Sequence, residues 1–192
     1  SVVLRVNTLK SQKDILKKYL DEQELEVEPI EEYKDALLLV KRQNIFQNEL
    51  FKLGLFELQD AGSQAMSEFL GVEPGMRVID ACAGGGGKTL HIAALMQNKG
   101  RIISMDVTQW KLDELKKRAR RATACNIEPR LIEGSKTIKR LENTADRLLL
   151  DVPCSGIGVI KRNPDAKWKL DIGFIERTKE LQQKILSEYS SM

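Results

Sequence analysis

Two short segments of the chain place reactive side chains and glycines directly after apolar runs. Residues 151–156 (DVPCSG) follow the run 148–150 (LLL) and contain Asp151 and Cys154. Residues 80–89 (DACAGGGGKT), here called the glycine loop, follow another apolar pair and lead into a predicted helix. Because α/β proteins bind ligands beyond the carboxyl ends of their strands, we expect the two segments to form one cofactor pocket with a thiol and carboxylates beside it.

The glycine loop does not match the common nucleotide-binding fingerprints. A P-loop requires glycine at the position of Cys82, and the dinucleotide fingerprint requires glycine at the position of Thr89. What remains is a backbone that a ligand can approach closely, and a helix N-terminus whose amides favour an anionic group such as a carboxylate. Asp106 ends the next predicted strand, where it could accept hydrogen bonds from ribose hydroxyls or cap the helix that follows. A nucleoside that carries a carboxylate, such as S-adenosylmethionine, would satisfy both the helix N-terminus and Asp106.

Strand and helix patterns alternate along the chain and predict an α/β protein. Residues 1–55 are expected to form a small α/β domain, with strands at 2–6, 24–28 and 36–40 and a helix at 11–20 capped by Ser11. A connector is predicted at 46–58. Strand and helix units then recur, with strands at 77–80, 101–106, 130–133 and 147–152 and a final helix from 171 that places Ile172, Ile175 and Ile185 on one face. Residues 56–192 are therefore expected to form a Rossmann-like parallel sheet with right-handed crossovers.

Composition restricts the class of protein. The chain has 192 residues, of which 42% are hydrophobic and 31% charged, enough for one ordinary domain and a smaller one. Neither a signal peptide nor an apolar run of about 18 residues is present, so no membrane association is predicted. Three widely spaced cysteines indicate neither a disulfide framework nor a zinc site and favour the reducing cytoplasm. His91 is the only histidine, which argues against catalytic triads and metal sites and favours a packing or solvent-contact role.

Charge is unevenly distributed along the chain. Residues 1–75 have nine basic and fourteen acidic side chains, a net charge of −5, whereas residues 111–169 have fifteen and eight, a net charge of +7. A basic region around a pocket attracts a polyanion, most often nucleic acid, although the cluster at 111–121 could equally be a solvated helix face. Trp168, between Lys167 and another lysine, could stack on a base or cover apolar surface.

Five motifs, taken in chain order, resemble those of the RNA cytosine-5 methyltransferases of the bacterial Fmu or Sun type, which are related to eukaryotic nucleolar methyltransferases. They are RVNT at 5–8, GLFELQDAGS at 54–63, DACAGGGGKT at 80–89, LDVPCSGIG at 150–158 and RNPDAKW at 162–168. The resemblance implies the S-adenosylmethionine-dependent methyltransferase version of the Rossmann-like fold, incomplete at its C-terminal strands, and RNA contact by residues 1–55. Ribosomal RNA is the favoured substrate and transfer RNA the alternative.

The resemblance also implies roles for individual residues. The residues expected to contact the cofactor or organise its site are Cys82, Ala83, Gly84, Gly85, Gly86, Gly87, Lys88, Asp106, Ser135 and Asp151. Those expected to contact RNA are Arg162, Lys167 and Trp168. Gly85 replaces the family's usual proline, which should loosen the loop, and Ser135 stands where the family has an acidic residue that contacts adenine.

A thiol beside such a pocket favours methylation of carbon. Cytosine C5 is too electron-poor to attack a methyl sulfonium, but addition of a thiolate at C6 converts C5 into an enamine-like nucleophile. The resemblance implies that the cysteine of a later Thr-Cys motif attacks C6. Cys154 then assists product release, and Asp151 faces the cytosine. A small buried hydrophobe is the alternative interpretation of Cys154.

The Thr-Cys motif is absent from these 192 residues. We therefore expect this chain to bind cofactor without turning over, as part of a longer enzyme. A non-catalytic module that binds S-adenosylmethionine and RNA is the alternative, and the sequence leaves the oligomeric state open.

Overall fold

The first part of the chain folds into a four-stranded antiparallel sheet. The computed structural model describes residues 2–156, 158 and 171–192. The first sheet has the order β2-β3-β1-β4, formed by β1 (Val2–Val6), β2 (Val27–Pro29), β3 (Ala36–Leu39) and β4 (Phe56–Leu58). Helix α1 (Lys13–Glu22) packs on it through Leu16 and Leu20. Residues 2–58 are here called the N-terminal unit.

Strand β1 is the centre of this unit because both of its faces are covered. Leu4 and Val6 are fully buried in the apolar core shared with α1. Since neighbouring side chains of a strand point to opposite faces, Arg5 lies on the other side, where it is only 1% exposed. The N-terminal unit therefore has a polar group on its second face, and that face meets the rest of the chain.

Local signals placed some boundaries in this unit incorrectly. Helix α1 begins after Gln12, and Ser11 does not cap it. Glu24 follows the helix with a φ of +60°, in the left-handed region, so the strand predicted at 24–28 begins only at Val27.

The predicted connector at 46–58 also contains structure. It holds a 3₁₀ turn at Ile45–Gln47, helix α2 (Glu49–Lys52), which Asn48 caps, and strand β4. Strand β4 pairs with β1, with Phe56 opposite Val6, so the first sheet continues three residues past the boundary expected at residue 55.

The second part of the chain forms a four-stranded parallel sheet. Helix α3 (Ala61–Phe69) leads into it. Its strands are β5 (Arg77–Asp80), β6 (Arg101–Asp106), β7 (Ile127–Leu131) and β8 (Arg147–Leu149), in the order β7-β6-β5-β8. The helices of this part are α4 (Gly87–Leu95), α5 (Gln109–Ala122), α6 (Ser135–Lys139) and α7 (Ile172–Tyr189). The predicted Rossmann-like parallel sheet is confirmed.

Both faces of the parallel sheet are buried. Val78 and Ile102 join one apolar cluster with residues of α4 and α5, while their neighbours Ile79 and Ile103 join a second cluster with residues of α6 and α7. Burial on both faces explains why the two central strands, β5 and β6, have consecutive apolar residues, whereas the edge strand β7 is only partly buried and contains charged residues.

Only the C-terminal half of α7 contacts the sheet. Ile185 and Tyr189 are buried, whereas Ile172 is 81% exposed and Ile175 38% exposed. Of the face predicted from Ile172, Ile175 and Ile185, only Ile185 is buried, so the first turns of the helix do not pack on the sheet. Among the described residues, no helix is long and apolar enough to cross a membrane.

The N-terminal unit docks on α5 through a buried amide. Asn7 is 2% exposed, and its Nδ2 donates to the carbonyl oxygens of Gly54 (2.8 Å) and Ala122 (2.9 Å). Gly54 has a φ of +74°, and a Cβ there would lie 2.1 Å from the carbonyl oxygen of Arg121. Glycine is required because the two backbones approach so closely.

Replacing Asn7 by alanine should destabilise the fold, since the variant removes the side-chain donor of the buried Gly54 carbonyl and one of the two side-chain donors of the Ala122 carbonyl. We expect Asn7→Ala to lower the free energy of unfolding in urea by about 2–3 kcal/mol. Asn44→Ala is the matched control, because Asn44 is exposed and only accepts from the amide of Phe46, and it should cost about 1 kcal/mol or less. Equal losses in the two variants would contradict a special role for the Asn7 bridge.

Candidate active site

The sheet order brings the two candidate loops together. From β5 the chain continues to β6 and then to β7, which lie on one side of β5, and it returns to place β8 on the other side. The strand order therefore reverses between β5 and β8. Ligands of open α/β sheets bind at such a switch point, beyond the carboxyl ends of the strands. The glycine loop follows β5, and residues 151–156, here called the cysteine loop, come soon after β8. Lys88 Nζ lies 2.5 Å from Asp151 Oδ2 and so joins the two loops.

The glycine loop has a fixed path that requires glycine at two positions. Gly84 and Gly86 have φ values of +55° and +84°, in the left-handed region. A Cβ on Gly86 would also lie 2.7 Å from Leu115 Cγ on α5. The amide of Ala83 donates to the carbonyl oxygen of Met105 at 2.8 Å, which ties the loop to the end of β6. A Cβ on Gly85 would lie 3.4 Å from Arg118 Nη1, and the carbonyl of Gly85 accepts from the same nitrogen at 2.7 Å.

Asp106 holds the glycine loop and the start of α5 at the same time. Its Oδ2 accepts from the amide of Gly84 at 3.0 Å and its Oδ1 from the amide of Thr108 at 2.8 Å. Lys111 Nζ lies 3.6 Å from Oδ2. The helix-capping interpretation of Asp106 is thus part of its role. Because each carboxylate oxygen has a second lone pair, the side chain can still accept from a ligand in the adjacent cleft.

Asp80 is a buried acid at the base of the glycine loop. It is 1% exposed, and its Oδ2 accepts from Thr89 Oγ1 at 2.7 Å. Burial raises the pKa of Asp80 to about 6, and the charge of Asp151 adds to that effect, against the hydrogen bond from Thr89 and the charge of Lys88. Asp80 therefore ties the end of β5 to the first turn of α4 at a cost in desolvation.

Cys82 lies in the same acidic surroundings. Burial raises the pKa of its thiol to about 11, with further contributions from Asp80, Asp106 and Asp151. The thiol therefore stays protonated near neutral pH, which agrees with a packing role and not with a nucleophile. Cys154, in contrast, is exposed.

A cleft of about 450 Å³ opens beside these residues, within the size range of small-molecule sites. Of the predicted cofactor residues, Cys82, Gly84, Asp106 and Asp151 line it. The other lining residues are Ala81, Val107, Lys111, Ile132, Pro153, Leu181, Lys184, Ile185, Glu188 and Tyr189. The cleft thus combines carboxylates with an apolar wall.

Helix α7 supplies a wall of the cleft that sequence reasoning missed. Tyr189 and Leu181 line the cleft, and Gln182 Nε2 donates to the carbonyl oxygen of Pro153 at 2.8 Å. The sequence pattern of this helix predicts only apolar packing. Its place beside the cysteine loop depends on the tertiary fold, so no local signal could have found it.

The other predicted residues take different places. Ala83, Gly85 and Gly86 shape the loop, and Gly87 opens α4 and faces a separate cavity of about 380 Å³. Ser135 begins α6 and lines a third cavity, of about 300 Å³, together with Glu133. Ser135 therefore does not line the cleft where it was predicted, and Ile132 of the same loop lines it in its place. Arg162, Lys167 and Trp168, the predicted RNA contacts, lie outside the described residues.

His91 packs in the interior, away from the cleft. It is fully buried, and its Nε2 lies 3.7 Å from Asp35 Oδ2. Asp35, Glu68 and His91 are close enough to hold a metal ion. Burial lowers the pKa of His91, and the nearby charge of Arg5 lowers it further. The same Arg5 charge would repel a metal ion bound among these three side chains.

Comparison with known proteins identifies the family. The family described as 16S rRNA methyltransferase RsmB/F matches residues 67–191. The chain is 35% identical over 190 residues to the probable ribosomal RNA small subunit methyltransferase B of Bacillus subtilis (strain 168), covering 98% of the chain and 42% of that protein.

Two solved structures have the same fold. The crystal structure of PH0851 superposes with a TM-score of 0.94 at 32% identity and covers 100% of this chain and 43% of that one. NSun6 from Pyrococcus horikoshii, crystallised with SFG, superposes with a TM-score of 0.89 at 20% identity, covering 98% of this chain and 71% of that one.

The parallel sheet, the glycine loop and the acidic strand ends define a Rossmann-like fold of the methyltransferase class. The chain belongs to the RsmB/F family of 16S rRNA methyltransferases. The resemblance to the bacterial RNA methyltransferases is thereby confirmed. The chain spans less than half, 42%, of the length of the Bacillus subtilis relative.

The raised pKa of Asp80 predicts a pH-dependent stability. Because the folded pKa of about 6 lies above the ordinary value, the folded state holds its proton more strongly than the unfolded state, and stability falls as the pH rises from about 4 to about 6. Asp80→Asn removes this titration. The free energy of unfolding of the original chain, minus that of the variant, should fall by about 2 kcal/mol between pH 4 and pH 7. Urea unfolding at several pH values measures it, and a difference independent of pH would contradict the assignment.

Proposed function

We propose that the cleft binds S-adenosylmethionine and that the complete protein transfers its methyl group to C5 of a cytosine in ribosomal RNA. Family membership supports an rRNA methyltransferase, since the matching family is described as acting on 16S rRNA. NSun6, a protein of the same fold, was crystallised with SFG, an analogue of S-adenosylmethionine. An rRNA substrate would place the protein in the cytoplasm, as its free cysteines predict.

The residues of the cleft fit this cofactor. S-adenosylmethionine carries a sulfonium, an amino group and ribose hydroxyls, which are cationic or hydrogen-bond donors. Asp106 would accept from the ribose, and Asp151 would hold the amino end. Ile132 and Val107 offer apolar surface for the adenine, and Ile132 takes this place instead of Ser135. When bound, the cofactor supplies an electrophilic methyl group.

The contact between Lys88 and Asp151 is the observation that carries the proposal. It fixes the cysteine loop against the glycine loop, so that Pro153 borders the cleft and the exposed Cys154 follows it directly. A pyrimidine bound there would meet a thiol next to the methyl donor. In the proposed chemistry, the thiolate of a second cysteine, outside these 192 residues, adds to cytosine C6 and makes C5 nucleophilic. Loss of the C5 proton after methyl transfer then expels that thiol.

Cys154 is assigned to product release, and the attacking thiol to a cysteine outside these 192 residues. Neither Cys82 nor Cys125 follows a threonine, and Cys82 is held protonated. Methyl transfer to RNA by this chain alone would contradict that assignment. Cofactor and RNA binding without transfer by the complete protein would favour a binding module, and transfer to tRNA but not rRNA would favour the alternative substrate.

Cofactor binding can be measured on this chain directly. We expect calorimetric titration with S-adenosylmethionine to show one site, and Asp106→Asn to weaken it by about 10- to 100-fold because a charged acceptor is lost. Asp113→Asn, an exposed carboxyl on α5, is the control and should leave the affinity unchanged. Absence of binding to a folded chain, or equal affinities of the two variants, would contradict the cofactor assignment.

The role of Cys154 requires the complete protein and its RNA. Cys154→Ala should trap covalent adducts between protein and RNA, visible as a slower band in a denaturing gel, because product release is blocked after attack. Cys125→Ala replaces a second exposed cysteine and should release product normally. Normal turnover by the Cys154 variant would count against its assigned role.

A further inference from the structure

A buried acid of the N-terminal unit faces the helix that supports the glycine loop. Glu57 on β4 is 2% exposed, and both of its carboxylate oxygens accept from guanidinium groups of α5. Oε2 lies 2.9 Å from Arg118 Nη2, and Oε1 lies 2.5 Å from Arg121 Nη2. Arg5, directly opposite Glu57 in the sheet, adds a third positive charge. Three cations surround this one buried acid, and the two hydrogen-bonded guanidinium groups fix it in place.

Arg118 extends this contact to the cofactor site. While Nη2 donates to Glu57, Nη1 donates to the carbonyl oxygen of Gly85 at 2.7 Å. Its side chain is only 19% exposed. Since a guanidinium is planar and presents its donors in a fixed fork, fixing one side of Arg118 on Glu57 also fixes the side that holds the loop.

The loop needs such a contact because four consecutive glycines give it many conformations. Asp106 holds the amide of Gly84 from the β6 side, and Arg118 holds the carbonyl of Gly85 from the α5 side. These two anchors act on neighbouring residues of the segment that lines the cleft. Without the second anchor, ordering the loop on cofactor binding would cost more conformational entropy.

Arg121 provides an internal comparison. It shares the Glu57 carboxylate with Arg118, but among the described residues it makes no hydrogen bond or ion pair with the glycine loop, and its guanidinium instead lies 4.0 Å from the centre of the Phe51 ring. The two arginines therefore contribute alike to the docking of the N-terminal unit, and only Arg118 reaches the loop.

We propose that Arg118 is a positioning residue of the cofactor loop, that Glu57 holds it in place, and that the N-terminal unit thereby sets the affinity for the cofactor. This inference rests on the proposed binding of S-adenosylmethionine in the cleft. The loops of the parallel sheet and helix α7 form the cleft, and the N-terminal unit holds the glycine loop in its conformation before the cofactor arrives.

The test compares two charge-conserving variants of the same ion-pair cluster. Arg118→Lys and Arg121→Lys each keep a positive charge near Glu57 and should lower the melting temperature to a similar extent. Calorimetric titration with S-adenosylmethionine should show about tenfold weaker binding for Arg118→Lys, the effect of one lost hydrogen bond to the loop, and less than about twofold for Arg121→Lys. Equal losses of affinity in the two variants would overturn the proposal.

Hydrogen exchange separates this inference from the proposed function. In the chain without cofactor, the amides of residues 84–88 should exchange faster in Arg118→Lys than in Arg121→Lys, and equal exchange would overturn the positioning role. If the original chain binds no cofactor, the proposed function fails and hydrogen exchange alone decides the role of Arg118.

A second variant covers the case in which Arg118→Lys does not fold. Glu57→Gln keeps the shape of the acid and both arginines but removes the charge that holds Arg118. It should speed exchange of the same loop amides and weaken cofactor binding, and unchanged exchange in this variant would overturn the role of Glu57.

Discussion

Parallel pairing of β5 with β8 brings together two loops that are far apart along the chain. Ile79 lies opposite Leu148 and Asp80 opposite Leu149, so the carboxyl ends of both strands reach the same edge of the sheet. The glycine loop leaves one strand there and the cysteine loop follows the other. Lys88 can reach Asp151 only because of this register, and a shift of one residue would turn each strand's buried side chains to the opposite face. The cleft, its acidic rim and the exposure of Cys154 beside it all depend on that pairing.

Charge at the cleft is balanced unevenly. The carboxylates of Asp106, Asp151 and Glu188 line it together with the ammonium groups of Lys111 and Lys184. Lys88 pairs with Asp151, and the buried Asp80 adds a further acid at the base of the glycine loop. Burial raises the pKa of the Cys82 thiol, and the charges of these aspartates raise it further, so the same charges that oppose a thiolate favour a cation in the cleft. A sulfonium compound with an amino group meets that requirement, whereas an anionic nucleotide phosphate would not. The acids proposed to bind such a cofactor therefore add to the effect of burial on the cysteine of the glycine loop.

The N-terminal unit supports this site from outside the parallel sheet. Asn7 bridges its backbone to α5, and Glu57 holds two arginines of that helix. A unit expected to contact RNA is thus connected, through α5, to the loop proposed to contact the cofactor. Buried ion pairs seldom add much net stability, because desolvation offsets their attraction. The arrangement around Glu57 is better explained by the fixed geometry that it gives to Arg118.

Much of the site was present in the sequence itself. Glycines that need left-handed backbone, acids at the ends of apolar strands and a cysteine after proline are local signals, so Gly84, Gly86, Asp106 and Asp151 could be found without coordinates. Other features were decided only by tertiary structure. Strand β4 lacks a strong pattern of its own and exists because it pairs with β1, and Tyr189 and Arg118 reach the site from helices whose sequences indicate only packing or solvation. Periodicity reports which face of an element is buried, but it does not report which distant element buries it.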